Sequence, residues 1–205
     1  MAKLYFRYGT MDSAKTLNLL AVAHNYRKQG KRVMLLKPAF DDRFGRGTIV
    51  SRSGLQAEAD LLVEPDTVFD GSRFDDLDCV LVDEAQFLSP SVIEQLRVLT
   101  LTRNVPVICY GLRTDFQTRC FPGAQRLMEL ADAIEEVKVT CQFCDRKAVF
   151  NIRMADGKAV VEGAQIELGD ETYAPVCARH YVDMVGVEGL RTLGFGVPEG
   201  DFTEG

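Results

Sequence analysis

Residues 9–16 have the residue types and the spacing of a phosphate-binding loop. In chain order they are Gly9, Thr10, Met11, Asp12, Ser13, Ala14, Lys15 and Thr16. In such a loop the backbone N–H groups and a helix N-terminus surround the phosphates, a lysine reaches the β- and γ-phosphates, and a hydroxyl binds Mg²⁺. We therefore predict that residues 9–16 bind ATP with Mg²⁺, with Lys15 and Thr16 in the last two roles.

The loop departs from the pattern G-x-x-x-x-G-K-[ST] at Ala14, which stands in place of the second glycine. Glycine permits a close approach between backbone and phosphate that a methyl group obstructs. The lysine and the hydroxyl residue are retained, so we expect a working site with weakened nucleotide affinity. The alternative is an ordinary strand–turn–helix that carries a lysine by chance.

A pair of carboxylates follows an apolar run further along the chain. Val80, Leu81 and Val82 precede Asp83 and Glu84, and ligands bind at the carboxyl ends of strands in open α/β sheets. This is the Walker B arrangement, in which Asp83 holds the Mg²⁺ shell and Glu84 is free to act as a base. Together with the loop, the pair predicts a nucleotide site.

Two functions fit the run Asp83-Glu84-Ala85-Gln86. It can belong to an ATPase that moves on nucleic acid, although such motors generally need two such domains and this chain has room for one. In a kinase, Glu84 instead takes a proton from an acceptor hydroxyl as a general base. We keep a nucleic-acid-associated ATPase, or a non-catalytic nucleotide-binding switch, as the alternative to a kinase.

Two pairs of metal-ligand residues lie in the last third of the chain, Cys141 with Cys144 and Cys177 with His180. Two residues between the ligands of a pair let one turn present both side chains to a single tetrahedral ion. Four protein ligands close the coordination shell and leave no position for water. We therefore predict a structural Zn²⁺ site.

The elements that must position these residues alternate between strand-like and helix-like runs. Strands are predicted at residues 4–8, 32–36, 79–82 and 105–110, and helices at 15–29, 90–101 and 122–131. Gly30 is a natural C-cap for the first helix. Strands that alternate with helices predict a parallel sheet covered on both faces. Residues 41–54 are polar with little periodicity, and we expect a mobile loop there.

The pattern changes near residue 138. Residues 148–153 and 159–162 look like two strands, and the Asp156-Gly157 dipeptide between them signals a hairpin. We predict a nucleotide-binding domain at residues 1–137 and a zinc-binding domain at residues 138–190. Residues 191–205 are rich in glycine and acids, and we predict a disordered tail.

The composition narrows the class of protein. A net charge of −6 gives no long-range attraction to nucleic acid. No stretch approaches the roughly 20 apolar residues of a membrane helix, and the first residues lack a signal-peptide pattern. Six cysteines suit a reducing compartment when they are not in disulfides. We expect a cytoplasmic protein that binds neither membrane nor nucleic acid.

These motifs together resemble the thymidine kinases of the bacterial and human cytosolic type. The similarity extends to about residue 185 and includes the phosphate loop, both zinc pairs, and residues 41–44, 82–87, 110–116 and 170–177. No single motif is specific, but the set is. The resemblance implies an α/β fold with a P-loop (RecA-like) parallel sheet flanked by helices, plus a small zinc-anchored β lasso domain.

The resemblance implies that a phosphoryl group passes from ATP, bound with Mg²⁺, to the 5′-hydroxyl of thymidine. It implies a homotetramer inhibited by the triphosphate end product, dTTP. Glu84 would be the base, and Arg43 would lie near the transferring phosphate. The residues that would bind ATP and Mg²⁺ beyond the loop are Asp83, Glu84, Ala85 and Gln86.

The resemblance also implies a lid at residues 163–176 that closes on the nucleoside mainly through backbone hydrogen bonds. The residues expected around the base are Met11, Phe87, Leu112, Phe116 and Tyr173. A neutral pyrimidine requires apolar and aromatic walls with a few polar groups that orient it, so these residue types agree with the role.

Three positions depart from the family pattern. The first is Ala14, and we expect it to affect ATP affinity or rate. The second is Ala178, which follows the third cysteine where relatives usually carry Asn, Lys or Arg. The third is the run Leu168-Gly169-Asp170, where relatives commonly carry a Gly-Gly pair and the lid is one residue longer. We expect this last departure to affect lid closure and nucleoside selectivity.

Overall fold

The computed structural model describes residues 1–41, 45, 47–165 and 172–198. Its helices are α1 (Lys15–Lys28), α2 (Pro90–Thr102), α3 (Pro122–Leu130) and α4 (Ala178–Thr192). Its strands are β1 (Leu4–Tyr8), β2 (Val33–Pro38), β3 (Thr48–Val50), β4 (Gln56–Glu58), β5 (Leu61–Val63), β6 (Cys79–Val82), β7 (Val107–Gly111), β8 (Ala133–Glu136), β9 (Phe150–Ala155), β10 (Lys158–Ala159) and β11 (Thr172–Val176). Among the described residues, no helix combines the length and the apolar character needed to cross a membrane.

The described residues divide into two compact units. The first comprises Met1–Gly9, Ser13–Arg113 and Cys120–Val137. The second comprises Thr10–Asp12, Thr114–Arg119 and Lys138–Gly205, of which residues 166–171 and 199–205 lie outside the described part of the chain. The phosphate loop therefore contributes residues to both units.

A six-stranded parallel sheet with the order β5-β2-β6-β7-β1-β8 forms the centre of the first unit. Side chains alternate between its two faces, as a pleated strand requires. On β6, Val80 and Val82 pack into one buried cluster with α2 and α3, whereas Cys79 and Leu81 pack into another with α1. Apolar residues therefore cover both faces of the sheet, and the strands read as continuous hydrophobic runs.

Local sequence signals explain where the helices of the first unit begin and end. Ser89 caps α2 by accepting a hydrogen bond from the Val92 N–H at 3.4 Å, and Pro90 occupies the first turn. Gly30 follows α1 with a φ of +75°, the left-handed conformation that ends many helices and favours glycine. The helix therefore ends next to Gly30 as predicted, although the C-cap residue itself is Gln29.

A three-stranded antiparallel sheet with the order β10-β9-β11 forms the core of the second unit. Asp156 and Gly157 connect β9 to β10 with φ angles of +49° and +75°, as the Asp-Gly signal predicted. Ile152, Val176, Tyr181 and Leu190 are among the buried residues that join this sheet to α4.

The structure confirms the predicted parallel sheet flanked by helices. Part of residues 41–54, where we expected a mobile loop, forms a strand that was not predicted. Thr48–Val50 forms β3, which pairs antiparallel with β4, and the pairing supplies the hydrogen bonds that the local sequence did not indicate. Residues 42–44 and 46 lie outside the described residues. The short strands β5 and β8 were not predicted, because three or four residues carry too little periodicity.

Candidate active site and metal centre

Ala14 has the left-handed conformation that the second glycine of the phosphate-loop pattern would adopt freely. Its φ and ψ are 60° and 27°, and its carbonyl accepts hydrogen bonds at 2.9 Å from the backbone and side-chain nitrogens of Asn18. Gly9 opens the loop, where an added Cβ would lie 2.5 Å from the Val137 carbonyl oxygen. The loop therefore needs glycine at Gly9 for space, whereas Ala14 is exposed and carries backbone strain instead.

Thr16 and Asp83, both in the first unit, bring a hydroxyl and a carboxylate together. The Thr16 hydroxyl lies 3.2 Å from each Asp83 carboxylate oxygen. Burial, and then the charge of Glu84, raises the pKa of Asp83 to about 7. Lys15 Nζ donates a hydrogen bond of 3.2 Å to Ser13 Oγ. Hydroxyl and carboxylate oxygens are the ligands that Mg²⁺ prefers, so Thr16 and Asp83 fit that ion.

Glu84 is held by a buried amide. Glu84 has a φ of 48° and precedes a short 3₁₀ turn, Ala85–Phe87. Gln86 is 1% exposed, and its Nε2 donates a hydrogen bond of 2.6 Å to Glu84 Oε2. Gln86 Oε1 accepts a hydrogen bond of 2.9 Å from the Leu112 N–H. The amide nitrogen and the amide oxygen of Gln86 both make hydrogen bonds, so the orientation of the amide group is fixed. The amide in turn orients the Glu84 carboxylate.

The predicted nucleoside-binding residues of the first unit are Phe87 and Leu112. Both are partly buried against the core cluster that contains α2 and α3. The Phe87 ring makes edge contacts with Phe40 and Phe121, with centroids 5.2 and 5.4 Å apart. Phe87 and Leu112 form an apolar surface beside the Gln86 amide.

The second unit contains the other predicted nucleoside-binding residues, Met11, Phe116 and Tyr173. The Met11 N–H donates a hydrogen bond of 2.8 Å to Asn151 Oδ1. Phe116 is 2% exposed, and Tyr173 lies in β11 opposite Arg153 of β9. Arg43 and residues 166–171 of the predicted lid, including the run Leu168-Gly169-Asp170, lie outside the described residues.

The four predicted zinc ligands form one cluster in the second unit. Their ligand atoms all lie within 4.8 Å of one another. The Sγ atoms of Cys144 and Cys177 are 3.8 Å apart, and His180 Nδ1 is 3.4 Å from Sγ of both Cys141 and Cys177. Tetrahedral Zn²⁺ with bonds of about 2.3 Å to sulfur and 2.0 Å to nitrogen requires S–S and S–N separations of about 3.8 and 3.5 Å.

Local structure places both halves of this cluster. The Cys141 N–H donates a hydrogen bond of 2.8 Å to the Arg146 carbonyl, which closes the turn that carries Cys141 and Cys144. Cys177 is the N-cap of α4, so His180 follows in the first turn. Burial raises the pKa of Cys141, but hydrogen bonds from the Phe143 N–H, Cys177 and His180 outweigh it and lower the pKa to about 6. The cluster can therefore hold a metal ion that binds thiolate and imidazole.

A family model described as thymidine kinase matches residues 2–181. The chain belongs to the thymidine kinase family. Proteins called thymidine kinase from Lactococcus lactis and Chromobacterium violaceum are 47% and 49% identical to it over 184 and 183 residues, which is 88% and 87% of this chain and 97% of each relative. A thymidine kinase from Ruegeria pomeroyi is 45% identical over 197 residues, covering 93% of this chain and 99% of the relative.

A solved structure, Bacteroides Pif1 bound to ssDNA, matches with a TM-score of 0.38 and 16% identity, covering 66% of this chain and 38% of that chain. A likeness this weak supports no conclusion about fold or function. Membership of the thymidine kinase family favours the kinase over both alternatives raised by the Walker B run.

Several side chains that shape these sites were not singled out by the sequence. Asn151, Arg153 and Tyr181 are each at most 3% exposed and make hydrogen bonds within the second unit. Arg153 lies in a strand, where a buried cation is unusual. The alternation of β9 places Asn151 and Arg153 on one face, but two polar residues on one face of a strand suggest exposure to solvent, so the sequence carried no signal for their burial.

Proposed function

We propose that this chain is a thymidine kinase, which transfers the γ-phosphoryl group of ATP to the 5′-hydroxyl of thymidine and forms dTMP for DNA precursor salvage. Membership of the family is the observation that carries the proposal. The placement of Thr16, Asp83 and Glu84 in one unit supports it, because phosphoryl transfer needs positioning and charge stabilisation more than covalent chemistry.

The phosphates of ATP are assigned to residues 9–16, with Lys15 toward the β- and γ-phosphates. Thr16 and Asp83 are assigned to Mg²⁺, which supplies charge neutralisation when it is bound. Ala85 and Gln86 complete the nucleotide-binding run, and the hydrogen bond between Gln86 and Glu84 supports an orienting role for the amide.

Glu84 is the proposed general base. It accepts the proton of the thymidine 5′-hydroxyl, the 5′-oxygen forms a bond to the γ-phosphorus, and the bond to the bridging β–γ oxygen breaks to release ADP. Arg43 is assigned to the transferring phosphate on the resemblance alone. The carboxylate of Glu84 suits its role because a carboxylate held by a neutral amide keeps its orientation.

The thymine base is assigned to Met11, Phe87, Leu112, Phe116 and Tyr173, which supply apolar and aromatic surface. Residues 138–190 are assigned to the zinc-binding lasso domain and residues 1–137 to the nucleotide-binding domain. Closure of four ligands around Zn²⁺ supports a structural ion, since no open position is left for water.

The proposed function also includes an oligomeric state, feedback regulation and a cellular location. We assign a homotetramer and feedback inhibition by dTTP on the family resemblance. We assign the chain to the cytoplasm because none of its six cysteines is paired in a disulfide, as expected in a reducing compartment.

The experiment that tests the proposed function measures ATP consumption with thymidine, single-stranded DNA or RNA as the added partner. We expect ADP and dTMP to form in equal amounts, with thymidine as the only stimulus. ATP consumption that needs DNA or RNA supports the nucleic-acid-associated ATPase instead. ATP binding without turnover under all three conditions supports the nucleotide-binding switch.

A further inference from the structure

Arg153 is one of the largest fully buried side chains of the described residues, at 2% exposure, yet none of the roles assigned above uses it. It lies in β9 of the second unit, and its guanidinium carbon is 4.0 Å from the centroid of the Phe116 ring. A guanidinium over an aromatic face at this distance makes a cation–π contact that strengthens when water is excluded. Arg153 therefore fixes one face of the Phe116 ring.

The same guanidinium holds a backbone segment, residues 161–165, which we name the stem segment. Arg153 Nη1 donates a hydrogen bond of 3.0 Å to the Ala164 carbonyl, and Nη2 donates one of 3.1 Å to the Glu162 carbonyl. Gly163 lies between these two acceptors with a φ of +125°. A Cβ at Gly163 would collide with the Arg153 guanidinium, so only glycine lets the stem segment pass so close.

Two further side chains hold the ends of the stem segment against the residues next to Phe116. Gln117 Nε2 donates a hydrogen bond of 3.0 Å to the Val161 carbonyl. Gln165 Nε2 donates one of 2.8 Å to Asp115 Oδ2. Asp115 is 4% exposed, and its Oδ1 accepts the N–H groups of Gln117 and Arg119 at 2.9 Å. Residues 115–117 and the stem segment are therefore joined at both ends and in the middle.

We propose that Arg153 is a positioning residue for nucleoside binding, which holds the Phe116 ring and the stem segment in one arrangement. The inference rests on the proposed function, in which Phe116 contributes to the binding of thymidine. Arginine is required because one planar fork must stack on a ring and donate to two carbonyls at once, which an ammonium cannot do. Arg153 would act on thymidine affinity, and not on ATP.

The test compares Arg153→Lys with the wild type, with Arg191→Lys as the matched control, because Arg191 is an exposed arginine of α4 paired with Glu188. We expect Arg153→Lys to raise the KM for thymidine about tenfold, with the KM for ATP unchanged and kcat within about threefold. Thymidine binding measured by calorimetry should weaken by the same factor. Amides of the stem segment should exchange hydrogen faster, while Arg191→Lys changes none of these quantities.

Gly163→Ala provides a second variant from the opposite side of the contact, because its added methyl group at an exposed position would meet the Arg153 guanidinium. We expect the same selective rise in the thymidine KM. A thymidine KM within twofold of wild type in a folded Arg153→Lys protein overturns the inference, as does an equal rise in both KM values. Where Arg153→Lys does not fold, Gly163→Ala decides by the same criteria. Wild-type protein without thymidine kinase activity overturns the proposed function instead.

Discussion

The Tyr181 hydroxyl donates a hydrogen bond of 2.6 Å to the backbone carbonyl of Phe116. Tyr181 is 1% exposed and follows the predicted metal ligand His180 directly in α4. Arg153 covers the ring of Phe116 while Tyr181 holds its backbone. Within the second unit, Tyr181 and its hydrogen bond therefore connect the predicted metal cluster to Phe116, a residue assigned to the nucleoside.

This relationship predicts the effect of losing the metal. Cys144→Ser removes one of four ligands, and metal loss belongs to the short list of changes that destabilise strongly, by on the order of 4 kcal/mol. We expect purified wild-type protein to contain one zinc per chain and Cys144→Ser to contain little. We expect a lower melting temperature and a higher KM for thymidine, because α4 no longer fixes Tyr181. Metal analysis, thermal unfolding and steady-state kinetics measure the three effects.

Cys120→Ser is the matched control, since Cys120 is an exposed thiol outside the cluster. It should retain zinc, melting temperature and both KM values. Undamaged wild-type protein without zinc, or a zinc that carries a water ligand, would contradict a structural site.

Glu84→Gln tests the general base. The amide keeps the size of the side chain but cannot accept a proton, and general-base catalysis contributes about 10²–10⁴ in rate. We expect kcat to fall by a factor in that range while ATP affinity, measured by titration, stays close to wild type. Activity within about threefold of wild type shows that another group takes the proton.

Gln86→Met tests the residue that orients Glu84. It removes a hydrogen bond to a carboxylate, which contributes about 1.5–3 kcal/mol, so we expect kcat to fall about 10- to 100-fold. Gln125→Met is the control, because Gln125 is an exposed amide that donates to Glu129 on α3. The idea fails where Gln86→Met retains full kcat, or where only its melting temperature falls.

The sequence predicted the residues whose roles depend on near neighbours in the chain. Lys15 and Thr16 are identified by a local pattern, and each zinc pair has two residues between its ligands. The orienting contacts could not be found in this way, because they join distant residues. Gln86 and Leu112 are separated by 26 positions, and Tyr181 and Phe116 by 65. Only the topology of the strands brings such residues together.

The burial of Arg153 is the opposite of the exposure that its residue type suggests. Arg153 is a cation in a short strand, and sequence alone favours an exposed side chain. In the fold it is buried, with its guanidinium against the Phe116 ring and its two Nη atoms donating to two carbonyls. Edge strand β8 was missed for a related reason, since Glu135 and Glu136 lack the apolar alternation of a covered strand.

Ala14 provides the last prediction, because its left-handed backbone has two opposing consequences. An L-residue in this conformation costs roughly 1–2 kcal/mol relative to its usual one, whereas glycine adopts it freely but loses about 0.5–1 kcal/mol more conformational entropy on folding. We therefore expect Ala14→Gly to leave the fold intact, with a melting temperature equal to wild type or up to about 4 °C higher. Removal of the methyl group should also tighten ATP binding or raise kcat.

Ala21→Gly is the control that separates backbone strain from a general effect of glycine. Ala21 is exposed in the interior of α1, where glycine costs about 1 kcal/mol and nothing is relieved. ATP titrations at saturating thymidine and thermal unfolding compare both variants with the wild type. Because Lys15, Thr16, Asp83 and Glu84 are all present, the wild type should bind and turn over ATP. If only Ala14→Gly binds ATP, the wild-type chain is not a kinase.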